Sequence, residues 1–137
     1  MNTTRHGAKS EFSTAGLKTN DLPEVAIIYS YANLGGEMID FLVSQGVKGI
    51  VLDGVGDGNT TDAALAALEK AAKHGVAVVR CSRTGSGVVD RNVEINDDKL
   101  GFIAGMELSA QKARILLMLG LAKTNDPKKL QEYFVEY

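Results

Sequence analysis

The chain has 137 residues, of which 45% are hydrophobic and 23% are charged, a size and composition that fit one domain with a buried core. Fifteen Lys and Arg residues against seventeen Asp and Glu residues give a net charge of −2, which argues against nucleic acid as a partner. One cysteine and two distant histidines give no metal-ligand spacing, and no apolar run approaches the roughly 20 residues of a membrane span, so we expect no metal, no other cofactor and no membrane partner.

The N-terminal segment, residues 1–22, is polar and shows no sustained hydrophobic period, which is typical of a linker or arm. Phe12 and Leu17 are its candidates for contact with the folded body. Residues 24–31 then form a near-continuous apolar and aromatic run, which predicts a strand that is covered on both faces. We therefore predict an arm over residues 1–22 and one α/β domain over residues 23–137.

Two successive units of the chain share the same order of helix, glycine and valine-led strand, at a period of about 25 residues that is typical of βαβ crossovers. Gly46 and Gly75 each stand where a helix is expected to end. A looser stretch at 82–98 predicts a long functional loop. The predicted elements are helices over 37–45 and 62–74, strands over 47–53, 76–81 and 102–104, a buried helix over 110–122 capped by Ser109, and a last helix begun by Asp126 and Pro127. The sequence thus predicts a three-layer Rossmann-like α/β domain, with about four parallel strands and helices on both faces.

The glycine-rich stretch Gly54–Asn59 joins the second strand to the second helix. It lacks the last glycine of the dinucleotide fingerprint, and a calcium loop from Asp57 would need Glu where Leu68 stands. Two interpretations stay open. Either the glycines only allow a sharp turn while Asn59 or Thr60 caps the helix, or the loop holds a ligand beyond the carboxyl ends of the strands.

Several polar side chains are expected near the same edge of the sheet. Glu94, in the long loop, is either a solvated carboxylate or part of the same site. Arg80 and Arg83 are predicted to pair with a local carboxylate or with carbonyls. Cys81 is predicted to be a small buried residue, and His74 to lie at the end of the second helix, where a cation is favourable. The residues alone offer no convincing nucleophile and base.

Six ordered stretches closely resemble the C-terminal part of bacterial type II L-asparaginases. They are Leu22–Asn33, Gly46–Val51, Gly54–Asn59, Arg80–Arg83, Gln111–Leu117 and Gln131–Tyr137. The arm, beginning with Thr3–His6, resembles the end of the N-terminal domain and the linker, so the resemblance covers essentially the whole chain. It departs from the family at Asp57, where relatives often have Asn, at Cys81, where Ser is usual, and at Ser109–Ala110, where Asn-Pro is common.

The resemblance implies hydrolysis of L-asparagine to L-aspartate and ammonia by a threonine of an N-terminal domain that this sequence does not contain. No catalytic residue is then expected here, and the isolated chain is expected to be inactive. In this family the C-terminal domain completes the site of a neighbouring subunit, in a homo-oligomer built as a dimer of dimers. By motif position the substrate-binding residues are Glu94, which would hold the α-ammonium group, and Asn59, which would orient nearby groups. The resemblance also suggests a periplasmic or secreted parent.

An alternative of another class is a non-catalytic module that binds a small molecule such as a sugar. Residues 47–53, the alanine-rich helix and residues 75–79 also resemble the sugar-binding domains of periplasmic receptors. Such a site needs aromatic side chains to stack on the sugar, and the loops offer little beyond Tyr29 and Tyr31.

Overall fold

The computed structural model describes residues 11–12, 17–18, 21–84 and 87–137. The elements in chain order are β1 (Val25–Tyr29), α1 (Glu37–Ser44), β2 (Gly49–Gly54), α2 (Asp62–Lys73), β3 (Ala77–Ser82), α3 (Asp97–Leu100), β4 (Phe102–Ala104), α4 (Ala110–Leu121) and α5 (Pro127–Glu136). The predicted strands and the four longer helices are confirmed, with ends that differ by at most two residues. The single turn α3 is not predicted by the sequence, because it lies inside the stretch that has no helical period.

The four strands form one parallel sheet in the order β1-β2-β3-β4. Gly49 of β2 is in register with Val25 on one side and with Ala77 on the other. Because all four strands are parallel, the loops that follow them all leave from one edge. The predicted all-parallel α/β fold is confirmed, and this edge is where such sheets bind ligands.

Helices cover both faces of the sheet, as predicted. On one face α4 and α5 pack against side chains such as Val51 and Val79. On the other, α1 and α2 pack against side chains such as Ile50 and Leu52. The prediction that α4 is largely buried holds for its inner side only, because Ile115 is 54% exposed. The sheet is therefore buried on both faces, which explains its near-continuous apolar strands.

The helix starts are set by side-chain caps. Ser109 accepts a hydrogen bond from an N–H of α4 and Asp126 does the same for α5, as the sequence predicts. The predicted cap of α2, Asn59 or Thr60, is wrong. Thr61 is the cap, and its Oγ1 accepts a hydrogen bond from the N–H of Ala64 at 3.1 Å. The cap is displaced because the backbone of Asn59 is engaged in a turn of its own.

Part of the predicted arm packs on the last helix. The ring of Phe12 meets the rings of Tyr133 and Tyr137 edge-on, with centroids 4.8 and 5.3 Å apart. Leu17 is 40% exposed. Residues 1–10, 13–16 and 19–20, including the stretch Thr3–His6, lie outside the described residues, so the domain boundary near residue 22 stays a prediction.

Candidate functional site

The glycine-rich loop after β2 folds back on itself as a small hairpin. The N–H of Asn59 donates to the carbonyl of Val55 at 2.8 Å, and the N–H of Val55 donates to the carbonyl of Asn59 at 2.9 Å. Gly56 and Gly58 take left-handed backbone angles, with φ of +56° and +75°, which glycine adopts at little cost. The loop thereby holds Asn59 beyond the carboxyl end of β2.

The second loop, which lies between β3 and α3 and carries Glu94, is closed at its base by a set of polar contacts. Asn92 has a left-handed φ of +61°, donates from Nδ2 to Oδ2 of Asp98 at 2.8 Å and accepts from the N–H of Asp98 at 3.0 Å. The bond from Nδ2 of Asn92 and those from Arg91 to the carboxylate hold the pKa of Asp98 below its usual range. Residues 93–96 form the tip of the loop, on which Glu94 is exposed.

The two loops meet directly. The N–H of Asp90 in the second loop donates to Oδ1 of Asp57 in the glycine-rich loop at 2.9 Å. The structure thus brings together the two segments that carry Asn59 and Glu94. Within residues 21–84 and 87–137 neither of these two side chains makes a hydrogen bond or an ion pair, so both are available to a ligand.

A buried ion pair lies beneath the loops. Arg80 at the end of β3 is 0% exposed, and its Nε and Nη2 donate to the two carboxylate oxygens of Asp97 at 2.7 and 2.8 Å. Its Nη1 donates to the carbonyl of Asp57 at 2.8 Å, and Oδ2 of Asp97 accepts from the N–H of Asn92 at 3.0 Å. The predicted pairing of Arg80 is confirmed. The sequence does not reveal its partner, because Asp97 and Asp98 are adjacent and only the fold decides which is buried.

Arg83 links the ends of three strands, another feature that sequence reasoning missed beyond a general expectation of carbonyl contacts. Its Nη1 donates to the carbonyl of Ser30 after β1 at 2.8 Å, and its N–H donates to the carbonyl of Gly54 at 2.9 Å. The hydroxyl of Ser30 donates in turn to Oγ1 of Thr60 at 2.9 Å. The rim of the site is therefore tied to β1, β2 and β3 together.

Comparison with known proteins decides the family. Residues 24–134 match a family model described as the glutaminase/asparaginase C-terminal domain. The chain belongs to this family. It is 48% identical, over 88% of its length, to the probable periplasmic L-asparaginase of Haemophilus influenzae, and 47% identical, over 98% of its length, to L-asparaginase 2 of Bacillus subtilis. It is 40% identical, over 97% of its length, to the glutaminase-asparaginase of Pseudomonas fluorescens.

The asparaginase C-terminal domain is only part of these relatives. The chain spans 34%, 35% and 36% of the three, respectively, or about a third of each. The resemblance noted in the sequence is confirmed. None of the three relatives is a sugar-binding receptor, so the alternative of a sugar-type module gains no support. No helix in the described ranges is long and apolar enough to cross a membrane.

Two further side chains of this asparaginase C-terminal domain behave as predicted. Cys81 is fully buried, and burial together with the charge of Asp53 raises the pKa of its thiol to about 12, so it stays protonated at neutral pH. His74 lies at the end of α2 with Nδ1 2.7 Å from the carbonyl oxygen of Lys70. Neither is placed to act as a nucleophile or base at the loops.

Asp53 is a buried carboxylic acid at the carboxyl end of β2, just before the glycine-rich loop. It is 6% exposed, and its Oδ1 finds no hydrogen-bond partner in the part of the chain that the structure describes. Burial raises the pKa of this carboxyl above its ordinary 3.8, and the nearby positive charge of Arg83 opposes the rise only in part. The folded state therefore holds the proton more tightly than the unfolded chain.

Asp53→Asn is expected to raise the free energy of unfolding at about pH 7 by about 1 kcal/mol, because it removes a buried charge that lacks a full set of partners. Because the pKa of Asp53 is higher in the folded state than in the unfolded chain, the folded state is least penalised in acid, where this carboxyl is protonated. The free energy of unfolding falls as the pH rises through the folded-state pKa. The gain should therefore shrink towards about pH 4. Urea unfolding at both pH values measures it, with exposed Asp21→Asn as the control of equal charge. An equal gain at both pH values would contradict the explanation.

Proposed function

We propose that this chain is the C-terminal domain of an L-asparaginase, which hydrolyses L-asparagine to L-aspartate and ammonia. The observation that carries the proposal is the match over nearly the whole chain to proteins named L-asparaginases, at 47% and 48% identity. The relative named glutaminase-asparaginase makes L-glutamine the second amide to test. An α/β fold by itself would not support this conclusion, because it hosts many unrelated functions.

In this proposal Glu94 and Asn59 bind and orient the substrate in the site of a neighbouring subunit. A carboxylate at the exposed tip of a loop suits the α-ammonium group of an amino acid, to which it makes a charge-assisted hydrogen bond. The Asn59 amide provides both donors and an acceptor, which suits a role in orienting a carboxylate and catalytic groups together. Their lack of partners within the described ranges and the contact between their loops support these roles.

The nucleophile is proposed to come from outside this chain, as a threonine of an N-terminal domain to which the arm over residues 1–22 connects. Cys81 and His74 support a nucleophile from another domain, because the Cys81 thiol is protonated and the ring of His74 contacts its own helix. The domain then contributes substrate contacts and a frame rather than bond-breaking groups. Alone, it is expected to be inactive.

Apolar surface supports the proposal that other protein covers this domain. Among the described residues, five large hydrophobic side chains are 54–58% exposed, and they are Tyr31, Met38, Phe41, Ile115 and Val135. An open groove of about 440 Å³ beside α4 is lined by Phe12, Leu108, Lys112, Ile115, Leu116, Leu119 and Tyr137. Apolar surface of this kind marks protein contacts. We assign it to the N-terminal domain and to further copies of the subunit, in the dimer of dimers that the resemblance implies.

A fusion protein tests the function. The matching third of the Bacillus subtilis relative is replaced by this chain, and ammonia release from L-asparagine is compared with that of the chain alone. We expect turnover by the fusion and none by the chain. Glu94→Gln in the fusion should raise KM about 10- to 100-fold, because a hydrogen bond between charged groups is worth about 1.5–3 kcal/mol.

Glu69→Gln on α2, whose carboxylate is hydrogen-bonded to Lys73 of the same helix, is the matched control and should leave KM unchanged. Turnover by the 137-residue chain above a protein-free blank would show that the catalytic centre is not missing. A fusion that folds but hydrolyses neither L-asparagine nor L-glutamine would refute the assignment of activity. An unchanged KM in Glu94→Gln would refute the role of that residue alone.

A further inference from the structure

We propose that the buried pair Arg80–Asp97 is a positioning device that sets the Asn59 loop and the Glu94 loop relative to each other. The inference rests on the proposed function, because it takes Asn59 and Glu94 as the residues that meet the substrate. It goes further by assigning a functional role to two residues that touch no substrate. Both act through the loops above them.

The contacts of the pair are divided between the two loops. On one side, Nη1 of Arg80 donates to the carbonyl of Asp57 at 2.8 Å, two residues before Asn59. On the other, Oδ2 of Asp97 accepts from the N–H of Asn92 at 3.0 Å, two residues before Glu94. The fully buried ion pair therefore holds the backbone of each loop at a point two residues before its substrate-binding residue, Asn59 or Glu94.

A direct bond between the loops closes this arrangement into a ring. Asp57 is held at its carbonyl by Arg80, while its carboxylate accepts from the N–H of Asp90 at 2.9 Å. From Asp90 the chain runs to Asn92, whose N–H returns to Asp97. A shift of either loop would have to break at least one of these bonds, so the ring fixes the separation of the loops.

The ring matters because the loops have little stiffness of their own. Gly56 and Gly58 flank Asp57, and glycine leaves the backbone more conformational freedom than any other residue. The guanidinium group can stiffen such a segment, because its planar fork binds both oxygens of Asp97 and still has a donor for the Asp57 carbonyl. A lysine at position 80 would keep the charge but could not make these three contacts at once.

Arg80→Lys in the fusion protein tests the positioning role. We expect KM for L-asparagine to rise about tenfold and at most about 100-fold, the loss that a misplacement of about 1 Å can cause, with a smaller change in kcat. The rise should be smaller when Glu94→Gln is already present, because part of the effect passes through Glu94. A purely structural role would give the same factor in both backgrounds. The double variant Glu69→Gln/Lys73→Met, which removes an exposed ion pair on α2, is the control.

Hydrogen exchange of this chain tests the ring without any assay of activity. The N–H groups of Asp90 and Asn92 should be protected in the unsubstituted chain and should exchange at least about tenfold faster in Arg80→Lys. The variant Arg80→Met/Asp97→Leu removes the ion pair while keeping the site filled with apolar groups, and it should show the same fast exchange with most of the stability retained.

Unprotected amides in the unsubstituted chain, or equal exchange in Arg80→Lys, would overturn the positioning role whether or not the fusion is an asparaginase. An unchanged KM in Arg80→Lys, where Glu94→Gln raises it, would overturn it as well. If Glu94→Gln has no effect but the exchange results hold, the proposed role of Glu94 fails and the ring remains.

Discussion

Arg80→Met is expected to lower the free energy of unfolding of this chain by about 3–5 kcal/mol, the largest stability effect that we predict. The change leaves the carboxylate of Asp97 fully buried without its cation, and the N–H of Asn92 is then its one remaining partner among the described residues. It also removes the donor to the Asp57 carbonyl. A loss of this size is a large part of the 5–15 kcal/mol that typically stabilises a domain. Urea unfolding followed by circular dichroism measures it.

The control for this prediction is Lys73→Met, which removes the cation of an exposed ion pair with Glu69. The loss there should not exceed about 0.5 kcal/mol, because such a pair in a helix contributes only a few tenths. Adding Asp97→Leu to Arg80→Met should restore most of the stability, since the uncompensated charge is then gone. A single variant that loses less than about 1 kcal/mol would show that Asp97 is not trapped as a buried charge.

Much of the fold could be predicted from the sequence, because local patterns and tertiary packing agree. The apolar run at residues 24–31 predicts a strand, and the strand is indeed covered on both faces. Gly46 predicts a helix end and has a φ of +83°. The prediction of the α2 cap fails because Asn59 is paired with Val55 in the hairpin of the glycine-rich loop. Asn59 therefore does not lie at the start of the helix, and Thr61 is the cap.

Less of the candidate site could be predicted from the sequence, because its contacts join residues that are far apart in the chain. The glycine-rich stretch indicates a loop at the edge of the sheet, but nothing in its spacing chooses between a simple turn and a ligand site. The resemblance to L-asparaginases, rather than any geometry, singles out Asn59 and Glu94. The link from Arg80 to Asp97 spans 17 residues of chain, and which carboxylate is buried depends on the packing of α3 against β4, the neighbour of β3 in the sheet. Such a contact has no local signature.

Gly54→Ala is expected to reduce kcat/KM of the fusion protein for L-asparagine about 100-fold, the largest effect on activity that we predict for a residue that touches no substrate. A Cβ atom at position 54 would lie 2.7 Å from both the Cα and the carbonyl oxygen of Gly58. Those are backbone atoms that cannot move aside alone, so the bonds between Val55 and Asn59 must shift. We expect Asn59 to be displaced by about 1 Å and stability to fall by about 1–3 kcal/mol.

The comparison with Gly56→Ala separates this close contact from a general need for glycine in the loop. A Cβ atom at position 56 meets nothing within 4 Å, but the residue has a φ of +56°, so the substitution should cost about 1–2 kcal/mol of stability through backbone strain. Its kcat/KM should stay within about threefold of the unsubstituted fusion, because the hairpin itself need not move. Equal losses of activity in both variants would mean that flexibility of the loop, rather than the fixed placement of Asn59, is what the reaction requires.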